Sequence, residues 1–405
     1  MLSITFKYTY TTKIIVSSVD TTKNKYVIVF GSNELASFII RDLIIPHETN
    51  VIVIDFNDPE QIYNNPDLEG VKNILVEKIR HEHISELDIN ELKKLLINID
   101  VANIDSIILC NSSQYWSKKY LSRNIQASEY IDIKYNKHIL NILGKLGYKN
   151  RLIHLSTALV YGNNGISNEN TECKPTTKRG IRRFKQEQQV IELSKQYGIK
   201  YTILRLGTVY SGYMPSDRAI NTFAQNVLSN DSIIIFGSGL QTRDFISVRD
   251  VSELVTKMAL MDSKDNRIDN QIFNVGGNIK ELHVDDKTHI LSEGISITGL
   301  AQAMLARIRR YNPQCSTTII YKKKRSDEDD VKITLDCRKI FEIMGYVNKY
   351  DLVRTLDEVI LFNAYYRLQY DNSTVSEIKR RLKELSVEGE RKLKEEQLLS
   401  EDEHT

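Results

Sequence analysis

The chain has little of what marks several common protein classes. Its four cysteines, Cys110, Cys173, Cys315 and Cys337, are scattered, and no CxxC pair occurs. That argues against a zinc site or a disulfide framework and suits a reducing, cytoplasmic compartment. No apolar run approaches the roughly 18 residues of a membrane span. Neither sign of charge dominates: 55 Lys and Arg stand against 53 Asp and Glu, a net charge of +2. The balance therefore gives no reason to expect nucleic acid or a membrane surface as partner. Internal repeats and low-complexity tracts are missing as well. Residues 1–24 are Thr/Ser-rich, lack Arg, and have no apolar core followed by a small-residue cleavage site. They read as a short added strand or frayed terminus rather than a targeting signal.

What is present is ordinary for a globular protein. The 405 residues are 41% hydrophobic and 27% charged, enough chain for one or two domains with a sizeable core. Five short apolar runs have the character of buried strands: YVIVF (Tyr26–Phe30), VIVID (Val51–Asp55), SIILC (Ser106–Cys110), RLIHLS (Arg151–Ser156) and YTILRL (Tyr201–Leu206). Helical segments lie between them, at Leu35–Ile45, Glu91–Ile97, Tyr135–Leu146 and Lys185–Tyr197. β-Branched runs alternating with helices predict an α/β protein, with a doubly wound, Rossmann-like parallel sheet covered on both faces.

From about Met214 the pattern turns irregular, with a helix at Ala219–Leu228, a strand at Ile233–Phe236 and a helix at Ile297–Tyr311. The expected division is a terminal extension at 1–24, a dinucleotide-binding domain at 25–213, substrate-side segments at 214–365 and a tail at 366–405. That tail is highly charged with helical spacing and ends in acidic residues. It reads as an exposed helix fading into disorder, with a partner-binding helix as the alternative.

The first strand ends in Gly31, and Asp55 ends the second, roughly 20 residues on, as a dinucleotide site requires. Asp55 would then accept hydrogen bonds from adenosine ribose hydroxyls, which favours NAD; otherwise it only caps a turn. The turn itself, Gly31-Ser32-Asn33-Glu34-Leu35-Ala36-Ser37, is short of glycine. Glycine serves tight turning and the approach of a pyrophosphate to a helix N-terminus. Glu34 would bring a carboxylate there, whereas Ser37 is small enough for close packing.

Several further segments carry a resemblance. They are STALVYG (Ser156–Gly162), LRLGTVYSGYMP (Leu204–Pro215), GSGLQTRDFISVRDVS (Gly237–Ser252), FNVGG (Phe273–Gly277), ISITGLAQAM and DCRKIFEIMGY, the last starting at Asp336. In this order, over about Tyr26 to Phe362, they are similar to motifs of the extended short-chain dehydrogenase/reductases, specifically the NAD-dependent epimerase/dehydratase family that acts on nucleotide sugars. The resemblance implies NAD held by Gly31, Ser32, Asn33, Asp55 and Lys185, and a nucleotide sugar, UDP- or dTDP-linked, held by Thr208, Arg243 and Arg325. Arg243 would meet the diphosphate, or would pair with Asp244 or Asp250 to hold its loop. Lys324 is an alternative to Arg325. A homodimer is implied by the same resemblance, and no metal.

The family's chemistry uses a YxxxK pair, a phenol whose pKa is lowered by a lysine four residues on, with a Ser or Thr beside the sugar oxygen. Thr157 takes the hydroxyl position and Lys185 the lysine position, which makes them the catalytic candidates. The tyrosine position is Ile181, and no tyrosine lies between Tyr161 and Tyr197. Asp132 aligns with the asparagine of the preceding helix. Lys78 replaces the acidic residue after the third strand, and Leu109-Cys110-Asn111-Ser112 is more polar than the family's cofactor-lining stretch. The basic cluster Lys178, Arg179, Arg182, Arg183 and Lys185 reads as a solvated helix start, or else as a phosphate site. Two readings stay open: an NAD-dependent epimerase or dehydratase with impaired catalysis, or a non-catalytic relative that binds a nucleotide or nucleotide sugar, or serves as a scaffold.

Overall fold

The computed structural model describes residues 25–31, 33–44, 46–47, 49–55, 74–78, 89–110, 125–213, 218–277, 279–284, 287–292, 294–324 and 332–364. The calls on residues 1–24 and 366–405, and on Ser32, Asn111, Ser112 and Arg325, lie outside the described residues. The chain forms two compact units: Met1–Val209, Asp244–Gly294 and Val331–Lys349 make the first, and Tyr210–Arg243, Ile295–Asp330 and Tyr350–Thr405 the second. Residues 244–294 and 331–349, which sequence patterning put on the substrate side, thus belong to the first unit.

The first unit is built on seven strands: β1 (Tyr26–Phe30), β2 (Asn50–Asp55), β3 (Ile74–Lys78), β4 (Ile104–Leu109), β5 (Arg151–Thr157), β6 (Lys200–Leu206) and β7 (Gln271–Val275). They pair in the order β7-β6-β5-β4-β1-β2-β3, every pair parallel. The apolar runs become strands because both faces of the sheet are covered. Val27 and Val29 point into one core, and Ile28 and Phe30 into the other. Helices α1 (Glu34–Ile44), α2 (Ile89–Ile99), α3 (Ile125–Lys145) and α4 (Lys178–Tyr197) alternate with the strands. Chain order reverses between β1 and β4, the switch point at which doubly wound sheets bind ligands.

Helix α4 starts seven residues earlier than patterning suggested, so the basic cluster is helical. Thr177 caps it by accepting a hydrogen bond from Gly180 N at 2.8 Å, and Gly198 ends it in the left-handed region at φ 69°. Beyond it, α5 (Ala219–Leu228) belongs to the second unit, and α6 (Val248–Ala259) returns to the first and packs on α1. The open edge of β7 is closed by side chains. Glu169 accepts from Asn274 N at 2.8 Å, and Lys339 donates to Ile272 O at 2.9 Å. An antiparallel pair that patterning missed, Ile279–Val284 with Lys287–Ser292, follows β7.

In the second unit α5 packs with α7 (Ile297–Tyr311). Helix α8 (Arg338–Met344) belongs to the first unit, and α9 (Leu352–Phe362) closes the second. The carboxylate of Asp357 on α9 accepts from Arg307 Nε at 2.9 Å and from Tyr311 OH at 2.5 Å on α7. A parallel pair, Ile233–Phe236 with Ile319–Lys322, and an antiparallel pair, Thr242–Arg243 with Ile295–Ser296, complete this unit.

Candidate active site

The carboxyl end of β1 is held on both sides: Gly31 N donates to Ile54 O and Cys110 N to Phe30 O, each at 2.9 Å. Gly31 has φ 109°, a conformation that favours glycine, so the one glycine kept in the turn is at a position that needs it. Asn33 is buried and its side chain works within the fold. Its Oδ1 accepts from Ala36 N at 2.9 Å, and its Nδ2 donates to Cys110 O at 2.5 Å. It caps α1 and ties the helix to the end of β4. Glu34 is buried in the first turn of α1. Ser37 Oγ donates to Glu34 O at 2.7 Å, so its hydroxyl is satisfied inside the helix and α1 sits close to the sheet without a glycine there. Asp55 closes β2 in register with Lys78 of β3.

Thr157 ends β5 and caps the 3-10 turn Ala158–Tyr161, its Oγ1 accepting from Leu159 N at 3.4 Å. Helix α4 begins hard against this turn. A Cβ on Gly180 would stand 2.5 Å from Leu159 O, so only glycine permits the approach. The helix has two faces. Gly180, Arg183, Gln186, Glu187, Val190, Leu193 and Ser194 are buried, while Ile181, Lys185, Gln188, Glu192 and Lys195 are exposed. Ile181 is 41% exposed and Arg183 only 8%. Arg183 Nη1 donates to Gln186 Oε1 at 2.9 Å. Ile181 and Lys185 therefore share a stripe on the outward side, and the structure does not bring Lys185 to the sheet-facing side where Ser156 and Glu187 meet.

A buried polar network underlies Thr157. Ser156 Oγ donates to Glu187 Oε1 at 2.5 Å. Arg205 pairs with Glu187, Nη2 to Oε2 at 2.8 Å, and donates to Tyr161 OH at 3.0 Å. Tyr161 OH donates to Asn274 Oδ1 at 2.6 Å, and Arg205 lies over the Tyr161 ring at 4.8 Å. Burial pushes the Tyr161 phenol well above its ordinary value against the opposing pull of Arg205. On the same strand, His154 is fully buried, and neither ring nitrogen has a hydrogen-bond partner among the described residues. Burial, with Arg183 nearby, pushes its pKa down to about 3. Sequence reasoning missed Glu187, Arg205 and Asn274 as a set. The available signal was Arg205, a charge inside the otherwise apolar run YTILRL.

Thr208 is exposed, and its N–H donates to Asp244 O at 2.5 Å. Asp244 is buried, its Oδ1 accepting from Gly277 N at 2.8 Å; burial raises its pKa to about 6. Arg243, in the second unit, donates from Nη1 to Thr242 O at 3.0 Å. Asp250 Oδ1 accepts from Lys349 N at 2.7 Å. Among the described residues no group of three His, Cys, Asp or Glu could hold a metal ion, and no helix is long and apolar enough to cross a membrane.

A seven-stranded parallel sheet, reversing at a switch point where a glycine turn meets a capped helix, defines a Rossmann-like, doubly wound α/β protein. The model of the NAD dependent epimerase/dehydratase family matches residues 47–276, and the chain belongs to that family. It is 30% identical over 228 residues to a putative UDP-glucose 4-epimerase of Methanocaldococcus jannaschii, a match spanning 55% of this chain and 66% of that one. It is 28% identical over 239 residues to an uncharacterized UDP-glucose epimerase of Bacillus subtilis, covering 57% of this chain and 71% of that one. In fold it is similar to the UDP-glucose 4-epimerase of Thermotoga maritima solved with UDP-glucose, at a TM-score of 0.65 and 21% identity, with 83% of this chain and 98% of that one covered. The UDP-glucuronic acid 4-epimerase of Bacillus cereus, solved with UDP-glucuronic acid and NAD, compares at 0.65 and 22%, with 83% and 98% covered.

Proposed function

We propose that this protein binds a UDP- or dTDP-linked sugar together with NAD and lacks the phenolic proton shuttle of its family. The single observation behind the missing shuttle is the state of the tyrosines around Thr157. Helix α4 offers only Tyr197 at its far end, hydrogen-bonded to Asn141 at 2.9 Å, and Tyr161 is committed to Arg205 and Asn274. Tyr197 is held at the far end of the helix, away from Thr157, and burial pushes the Tyr161 phenol further from the neutral range.

The frame around Gly31 suits a dinucleotide, which would supply hydride chemistry when bound. Asp55 at the end of β2 is the natural partner for ribose hydroxyls, and the buried Glu34 is the feature that opposes a pyrophosphate. Thr157 would donate its hydroxyl proton to a sugar oxygen, since the bond it accepts from Leu159 uses a lone pair. Arg243 would contact the diphosphate, a guanidinium being suited to bidentate contacts with phosphate oxygens. Cysteine usage favours the cytoplasm, and the family resemblance favours a homodimer. A binding or scaffold role without turnover is supported by the same tyrosines.

The test is titration of NAD and UDP-glucose into the purified protein, followed by an assay for epimerised or dehydrated product. Saturable binding is expected, with turnover depressed by roughly 10² to 10⁴ for want of the general base. Turnover at the rate of an ordinary enzyme, about 10 per second, would refute the missing shuttle. Failure of both ligands to bind would refute the reading as a whole.

A further inference from the structure

The two faces of helix α4 decide which of the five basic residues in its first eight positions reaches the site. Residues four apart on a helix point the same way, and a residue two positions on lies roughly 200° round the axis. Glu187 is fixed to the sheet side by Ser156 and Arg205. One turn before it stands Arg183, buried, and one turn before that Arg179, half-buried. Lys185 and Ile181 fall on the outward stripe with Gln188 and Glu192. Gly180 presses this end of the helix onto the turn that Thr157 caps, so the sheet-facing residues there are the ones beside the end of β5. Burial first, and Arg183 second, hold the pKa of His154 down, and the second contribution agrees with the guanidinium lying on the β5 side.

We propose that Arg183, with Arg179 one turn ahead, is the cation this chain presents to a bound dinucleotide at the carboxyl end of β5, in the role the family resemblance gives to Lys185. The pair of acid–base residues four apart is thereby replaced by two guanidiniums. A guanidinium keeps its proton at any working pH and has donors only, so the pair holds ribose or phosphate oxygens and moves no proton. This rests on the dinucleotide reading above and accounts for why a binding site survives without its shuttle.

The experiment is NADH binding, followed by nicotinamide fluorescence, to the wild type, Arg183→Met, Arg183→Lys and Lys185→Met, with thermal melting of each. Arg183→Met is expected to weaken binding roughly tenfold or more, since it removes charge-assisted hydrogen bonds. Arg183→Lys should lose less, and Lys185→Met should stay within about twofold, as an exposed surface change. Wild-type affinity in Arg183→Met, or a large loss in Lys185→Met, overturns the proposal while leaving the dinucleotide reading standing. No NADH binding by the wild type overturns that reading itself. Should Arg183→Met fail to fold, arginine modification of the wild type by phenylglyoxal, mapped by peptide mass, replaces it. NADH protecting Arg179 or Arg183 is expected, and protection of neither overturns the proposal.

Discussion

Substituting Glu187→Gln tests the network on which the site stands. Arg205 and Glu187 are 4% and 0% exposed, so neither charge can turn to water when its partner is removed. Arg205 gives Glu187 one bond from Nη2 at 2.8 Å and shares its Nε between both carboxylate oxygens at 3.2 and 3.3 Å. Gln keeps one acceptor and has no charge. Breaking a buried pair from one side costs about 3–5 kcal/mol, because the surviving charge is stranded. Gln retains one of the bonds, which places the expected loss near the lower bound, about 3 kcal/mol. Urea unfolding followed by fluorescence measures it, as a lower midpoint at unchanged slope. The double variant Glu187→Met/Arg205→Met strands no charge. It should recover most of the loss, leaving about 1 kcal/mol for the partners removed from Ser156 and Tyr161. A loss below about 1 kcal/mol in Glu187→Gln, or no recovery in the double variant, would refute the reasoning.

His154 ties stability to pH. Its folded pKa is depressed from 6.5 to about 3, so the unfolded chain takes up the proton first. The contribution is complete above pH 6.5 and is lost as pH falls toward 3, by up to about 5 kcal/mol. His154→Phe should flatten unfolding free energy against pH between about 4 and 6 relative to the wild type, and parallel curves would contradict this. Gly162→Ala should cost at least about 2 kcal/mol in the same unfolding assay, because φ is 73° and the new Cβ would stand 2.0 Å from Lys174 O; a neutral result would mean the turn can move. Ile181→Tyr should leave stability within about 0.5 kcal/mol, as an exposed change, and should create no turnover. Arg179→Tyr with Arg183→Lys is the pair expected to raise it, and a gain from Ile181→Tyr alone would restore Lys185 to the site.

The sheet was legible because its strands are continuous apolar runs, a pattern that survives without knowledge of neighbours. β7 was harder: FNVGG is short, and its edge is sealed by Glu169 and Lys339, which no local pattern announces. The antiparallel pair after it was obscured by charge, since IKELHV and KTHILS alternate only loosely. The site was half legible. Gly31, Thr157 and Asp55 stand at strand ends as expected for β1, β5 and β2. Which basic side chains of α4 face the sheet was not legible, because five basic residues within eight positions offer several registers, and only burial separates Arg183 from Lys185. Asn33 shows the same limit from the other side, for a turn residue read as a cofactor contact spends its side chain capping α1 and holding Cys110.

The central claim is a family binding site without a proton shuttle, and a single-turnover experiment tests it most directly. Protein loaded with NAD is mixed rapidly with UDP-glucose or dTDP-glucose, and the near-ultraviolet absorbance of reduced nicotinamide is followed while ligand release by denaturation confirms that both are bound. Both ligands bound, with no reduced nicotinamide within about the first second, is the result predicted. Prompt appearance of reduced nicotinamide would show that some other group on this chain takes the proton, and would contradict the account.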